Sequence, residues 1–238
     1  MFIHDRFVFI HMPKTAGTFL SDALKSELSM AEVSPDDLYL GWKAIPAEAA
    51  GRPVLTYIRN PWEWYVSWYH FIPKWIRTQP PERFRKDDVI HRIWRGSIYN
   101  ETIVEGVNDF ATIIRNACDF LTPKKEKLAE AIDKGLISAN LFTAGHDYYT
   151  VRFKQITGAG FDSDLLTVGR YESLLPDLER FFTRVGIPLD DCLRERVESG
   201  EPLNVGDRRP YREYYDDALR DLIGASCRTL IERFGYSF

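Results

Sequence analysis

Twice before residue 70 the chain runs from a short apolar stretch through a turn into a segment with helical periodicity. In the first passage Phe7-Val8-Phe9-Ile10 leads through His11-Met12-Pro13-Lys14-Thr15-Ala16-Gly17-Thr18 into Phe19, Leu20, Ala23, Leu24 and Leu28. In the second, Pro53-Val54-Leu55-Thr56-Tyr57-Ile58 ends at Arg59-Asn60. Pro61 then suits a first helical position, and Trp62, Trp64, Tyr65, Trp68 and Tyr69 follow. Continuous apolar runs rich in β-branched and aromatic residues read as strands buried on both faces. Apolar positions three and four apart read as one face of a helix. Two strand–turn–helix units in succession predict an α/β fold with a parallel sheet.

Composition sets the outer limits. With 238 residues, 45% of them hydrophobic and 28% charged, the chain suffices for one sizeable core, and a single domain over 1–238 is expected. A net charge of −4 argues against a general polyanion binder, and no nucleic-acid-binding motif is present, so no nucleic-acid partner is expected. Cys118, Cys192 and Cys227 are scattered and odd in number, which predicts free thiols in a reducing compartment rather than a disulfide framework or a metal site. No apolar run approaches the ~20 residues of a membrane span, and no signal-peptide layout precedes the first motif. A soluble cytoplasmic protein without membrane association is expected.

The rest of the chain is less sharply patterned. Ser34-Pro35-Asp36-Asp37 reads as a turn or helix start. Residues 71–106 look irregular and read as a cap or insertion over the site. From Lys74 to Arg95, seven basic residues (Lys74, Arg77, Arg83, Arg85, Lys86, Arg92 and Arg95) face three acids (Glu82, Asp87 and Asp88). Helices are predicted over Phe110–Phe120, Lys124–Lys134 and Leu174–Val185, with one long C-terminal helix over Tyr211–Phe234. A third strand, Leu165 to Val168, is predicted to end at Gly169-Arg170-Tyr171-Glu172.

The turn at Lys14 carries the first chemistry. A turn between a strand and a helix N-terminus exposes unpaired backbone N–H groups in the positive field of the helix dipole, and such places bind phosphate-like anions. Gly17 removes a side chain where backbone must approach the anion. Thr15 and Thr18 add hydroxyls, and Lys14 adds a full charge. A nucleotide-triphosphate loop needs GxxxxGK[ST], with lysine after the last glycine. Here Lys14 precedes Gly17, which disfavours that form.

PKTAGT after a strand, and RNP followed by a serine eight residues beyond the arginine, resemble the two cofactor signatures of PAPS-dependent sulfotransferases. PAPS is 3′-phosphoadenosine 5′-phosphosulfate; its product is 3′-phosphoadenosine 5′-phosphate. The likeness is closest to the carbohydrate (heparan-type) branch, where PKTGGT loops are common. It implies a P-loop-like three-layer fold, with a central, mostly parallel sheet flanked by helices and a helical or irregular cap. It implies that Lys14, Thr15, Ala16, Gly17 and Thr18 cradle the 5′-phosphosulfate and that Arg59 and Ser67 grip the 3′-phosphate. Tyr171 matches a tyrosine near the adenine in related enzymes, with a core tyrosine as the alternative. Arg208 and Arg209, after Asn204-Val205-Gly206-Asp207, resemble a late basic loop that closes over the cofactor. Trp64 stands where heparan-type members often carry a basic residue.

Sulfuryl transfer leaves the protein three tasks: alignment, charge stabilisation on the leaving phosphate, and proton removal from the acceptor. Lys14 is assigned the charge, and no metal is required. Many relatives carry a histidine about twenty residues before the second signature as the base, but this chain has none there. Asp37 and His70 are the catalytic candidates, with Asp36, His91 and His146 behind them; His11 reads as a support for the loop. The tryptophans at 62, 64, 68, 75 and 94 suit a sugar or aromatic acceptor or, equally, a core helix. The basic surplus favours a saccharide or small-molecule acceptor carrying negative charge. The alternatives are a nucleotide-dependent kinase with an atypical loop and a non-catalytic module that binds an anionic nucleotide or glycan.

Overall fold

The two apolar runs become neighbouring strands. The structure, a computed structural model, describes residues 1–33, 41–78, 109–119, 147–199 and 209–238. In chain order its elements are β1 (Phe2–Ile3), β2 (Val8–Phe9), α1 (Gly17–Leu28), β3 (Ala31–Glu32), β4 (Val54–Ile58), α2 (Pro61–Thr78), α3 (Phe110–Cys118), α4 (Tyr148–Thr157), β5 (Leu166–Arg170), α5 (Leu174–Val185), α6 (Asp191–Ser199), α7 (Asp217–Ser226) and α8 (Arg228–Phe234). The architecture is α/β. The residues form two compact units: 1–60 with 153–206, and 61–152 with 207–238.

The first unit holds a five-stranded sheet in the order β3-β1-β2-β4-β5. β2 and β4 are parallel, as are β4 and β5, while β1 runs antiparallel to both β2 and β3. The sheet is therefore mixed, not mostly parallel. The departure lies in β1 and β3, two residues each and too short to leave a pattern in the sequence. β1 turns into β2 through a tight hairpin in which His4 and Phe7 exchange backbone hydrogen bonds of 2.9 and 3.3 Å. Regular strand covers only Val8–Phe9 of the predicted Phe7–Ile10 run, and the third strand runs on through Gly169 and Arg170.

Side chains alternate across this sheet. Phe7, Phe9, Leu55 and Tyr57 pack with Leu20, Ala23 and Leu24 of α1, Leu178, Phe181 and Phe182 of α5, and Leu193 and Val197 of α6. Phe7 meets Phe181 edge-on at 5.3 Å. Val8, Ile10, Val54, Thr56 and Ile58 are also buried, which is why the strands read as unbroken apolar runs. In-phase pairing sets Phe9 beside Leu55 and Ile58 beside Arg170. The carboxyl ends of β2, β4 and β5 thus lie along one edge of the sheet, where open α/β sheets bind ligands.

The second unit is helical and aromatic. Trp64 stacks on Tyr149 at 4.2 Å and on Trp68 at 5.7 Å, and all three rings are buried. These tryptophans are core, so they offer no platform to an acceptor; Trp94 lies outside the described residues. Asp147 anchors the unit from below the surface. It accepts hydrogen bonds from the Tyr65 hydroxyl at 2.6 Å, the Tyr149 amide at 2.8 Å and the Thr150 hydroxyl at 2.6 Å. Nearby, burial pushes the Cys118 thiol up to about 12. The three cysteines are free.

Two helix predictions need correction. The expected irregular stretch from Phe71 is helical as far as Thr78, because α2 continues past Pro73; residues 79–106 lie outside the described residues, as does 124–134. A proline inside a helix removes one backbone donor without by itself ending the helix. The single C-terminal helix is instead a 3₁₀ turn (Tyr211–Tyr214) followed by α7 and α8. Tyr215 is extended, and the Asp216 side chain caps α7 by accepting from the Leu219 amide at 2.7 Å. Cys227, at φ −89° and ψ 12°, interrupts the helix a second time. Among the described residues no helix is long and apolar enough to cross a membrane.

Candidate functional site

The loop from His11 to Ala16 connects β2 to α1, and its backbone is unusual. Lys14 and Ala16 both adopt left-handed φ values, 67° and 60°. Each such residue costs on the order of 1–3 kcal/mol, so the surrounding structure must hold it in place. Several contacts do so. The Thr15 hydroxyl donates to the Met12 carbonyl at 2.8 Å, the Leu20 amide to Ala16 at 2.9 Å, and the Ser21 hydroxyl to Gly17 at 2.6 Å.

Gly17 supplies the tightest constraint. A Cβ there would lie 1.9 Å from Cδ2 and 2.3 Å from Nε2 of His11. The missing side chain is thus the space for the His11 imidazole, a more immediate reason for glycine than an approaching anion. Burial, then the positive charges of the amino terminus and Lys14, lower the His11 pKa to about 4. The ring is neutral near pH 7 and supports the loop.

Left-handed residues ahead of a helix turn successive N–H groups to one side, which is the geometry of an anion concavity. Ala16 is the N-cap residue of α1 and has no side chain that could satisfy the first amides; no acidic residue occupies the first turn. The amides at the start of α1 therefore face a position suited to an anion. Thr18 is exposed at the second helical position. Thr15 is fully buried and its hydroxyl proton is directed to Met12, so its backbone N–H is what it can offer.

Arg59 comes from the neighbouring strand end. Its Nη1 donates to the Lys14 carbonyl at 3.4 Å, and its guanidinium carbon lies 3.9 Å from the centre of the Tyr171 ring. A cation over an aromatic face contributes about 0.5–2 kcal/mol, more when desolvated, and Arg59 is 9% exposed. The turn carrying Tyr171 is itself braced. Asp177 accepts from the Arg170 amide at 2.6 Å and the Ser173 hydroxyl at 2.8 Å, and pairs with Arg180. Glu172 accepts from the Asn60 amide at 2.7 Å. Three strand ends thus bring Lys14, Thr15, Ala16, Gly17, Arg59 and Tyr171 together.

Of the remaining predicted site residues, Ser67, His70 and Arg209 belong to the second unit. Ser67 is buried on α2 in the second unit, one turn from Trp64. His70, three residues on, is exposed, and its Nε2 lies 2.8 Å from the Tyr214 hydroxyl. Arg209 is exposed, with its guanidinium carbon 4.7 Å from the Tyr214 ring centre. Asp36, Asp37, His91, His146 and Arg208 lie outside the described residues. Sequence reasoning missed Glu172 and Tyr214. Glu172 follows directly on Tyr171, so its place in the strand-end turn was open to inference. Tyr214 sits among Tyr211 and Tyr215, where nothing in the pattern distinguishes it.

Compared with family models, curated proteins and solved structures, the chain matches none.

Proposed function

We propose that the chain is a PAPS-dependent sulfotransferase with a P-loop-like architecture. The observation that carries this reading is the contact of Arg59 with both the Lys14 carbonyl and the Tyr171 ring. Residues that the resemblance assigns to the two ends and the base of one nucleotide, far apart in sequence, meet at neighbouring strand ends. The uncapped start of α1 and the partly exposed Lys14 suit the 5′-phosphosulfate. Arg59 supplies a planar fork for the 3′-phosphate, the group to which the resemblance also assigns Ser67. Tyr171 offers a ring for the adenine.

The cofactor supplies the sulfuryl group. Lys14 stabilises the charge that develops on the leaving phosphate, and the α1 amides orient the group for in-line transfer. The acceptor is a hydroxyl or amine of a carbohydrate or small molecule, and the basic surplus between Lys74 and Arg95 favours an anionic one. Asp37 or His70 takes the acceptor proton. Three scattered thiols fit a cytoplasmic setting.

The test is the thermal midpoint with 3′-phosphoadenosine 5′-phosphate, set beside ATP with Mg²⁺. Ligand at 100 times its Kd stabilises the native state by about 2.7 kcal/mol. For a chain of this size that raises the midpoint by about 5–10 °C. A rise with ATP and Mg²⁺ alone overturns the assignment in favour of a kinase.

A further inference from the structure

The sheet of the first unit ends on one side in β3, two exposed residues, and on the other in β5, which pairs with β4 along its whole length. Parallel pairing engages alternate residues of a strand on each side. The Val54 amide donates to the Leu165 carbonyl at 2.8 Å, so Leu165, Thr167 and Gly169 turn their backbone groups toward β4, while Leu166, Val168 and Arg170 turn theirs outward. Two of the outward amides are engaged: Leu166 donates to the Ser163 carbonyl at 3.1 Å, and Arg170 to the Asp177 carboxylate at 2.6 Å. Between them the Val168 N–H and C=O face away from β4, and among the described residues no further strand meets them. β5 contains neither the proline nor the lysine that blunt many natural sheet edges.

A groove of about 220 Å³ lies between this edge and α5, lined by Val168, Gly169 and Phe181 and by Arg180 and Arg184. The strand is bare at Gly169, because a Cβ there would lie 2.5 Å from the Tyr57 ring. Arg180 and Arg184 are exposed and stand one helical turn apart. Arg184 donates to the Thr167 hydroxyl at 2.9 Å and to the Asp164 carbonyl, and Arg180 pairs with Asp177. Two cations thus face one carboxylate in the groove, and that carboxylate also accepts from the Arg170 amide and the Ser173 hydroxyl. Outward backbone groups beside a groove take an extended segment by strand addition, and the surplus positive charge sets which segment. We propose that β5 is a docking edge for an extended acidic segment of a partner protein. The segment pairs with the Val168 N–H and C=O and sets a carboxylate against Arg180 and Arg184. A second copy pairing edge to edge would bring the same arginines toward one another, which disfavours it. This role is independent of the nucleotide that the strand ends bind.

The experiment measures Kd by fluorescence anisotropy for the full chain and a labelled, end-capped octapeptide of alternating valine and glutamate. The same peptide with lysine for glutamate is the control. The acidic peptide is expected to bind at least tenfold more tightly than the basic one. Val168→Pro removes the outward N–H at an edge position, where proline is tolerated, and should weaken the acidic peptide about fivefold. The double variant Arg180→Ala/Arg184→Ala should weaken it about tenfold and bring the two peptides together in affinity. Equal binding of the two peptides by the unaltered chain overturns the proposal. So does an unchanged Kd in both variants, each folded by circular dichroism; if Val168→Pro fails to fold, the arginine variant decides. An unaltered chain that binds neither peptide shows the edge to be covered within the molecule and overturns it too. A dimer in sedimentation velocity that Val168→Pro dissolves assigns the edge to a second copy instead.

Discussion

Gly17→Ala sets two physical effects against each other, and the structure decides which wins. Gly17 is the first residue of α1, where its φ does not demand glycine, so helix propensity alone favours alanine by roughly 1 kcal/mol. Against this stands the His11 ring, 1.9 Å from where the new Cβ would lie. Ordinary contact begins near 3.4 Å, so ring or backbone must yield by about 1.5 Å. Displacements of this kind in packed regions cost about 1–3 kcal/mol. The sterics win over all but the low end of that range, and Gly17→Ala destabilises the chain by up to about 2 kcal/mol net. Urea denaturation read by circular dichroism measures it. In a His11→Ala background the obstruction is gone, and the same change becomes neutral or stabilising. The double-mutant cycle then returns a coupling of at least about 1 kcal/mol. Additive effects of the two substitutions would refute the reasoning, because they would show that the ring and the glycine do not compete for one space.

Other perturbations have separate readouts. Lys14→Ala leaves the fold intact and lowers sulfuryl transfer by about 10²–10³-fold, the loss typical of one preorganised charge-stabilising donor; steady-state kinetics check it. Arg59→Lys keeps the charge but loses the fork and the stack on Tyr171, and weakens 3′-phosphoadenosine 5′-phosphate binding about tenfold or more in calorimetry. Thr15→Val removes the clasp on Met12 at nearly constant volume and destabilises by about 1–2 kcal/mol in denaturant melts. His11 titrates at about 4 in the fold against an ordinary 6.5, so the unfolded chain binds its proton first. Its contribution to stability is present above pH 6.5 and is lost as pH falls toward 4; stability–pH curves of His11→Ala lack that component. Transfer rates of Asp37→Asn and His70→Ala separate the two base candidates, and full activity in both removes both.

The strand ends were legible because both strands are buried on two faces. Phe7 to Ile10 and Val54 to Ile58 therefore carry unbroken apolar runs, each followed by a residue that cannot extend it, Pro13 or Pro61. Leu174–Val185 was equally plain, since Leu178, Phe181 and Phe182 mark one buried face. β1 and β3 were not, because a two-residue strand has no period to read. The C-terminal break was signalled by Asp216-Asp217, yet the apolar spacing across α7 and α8 stays in phase and conceals it. At the site, the residue types at Lys14, Gly17, Arg59 and Tyr171 could be read. Their contacts could not, because the bond from Arg59 to Lys14 spans 45 residues and the stack on Tyr171 spans more than 100. The true competitor for the space at Gly17, His11, was assigned only a general supporting role.

Backbone amide NMR during titration with 3′-phosphoadenosine 5′-phosphate interrogates the three strand ends together. Shifts concentrated at Thr15 to Phe19, at Arg59 and Asn60, and at Tyr171 are expected, because those amides frame the proposed grip on both phosphates. Saturable binding that moves none of these resonances, and shifts residues elsewhere instead, would contradict it.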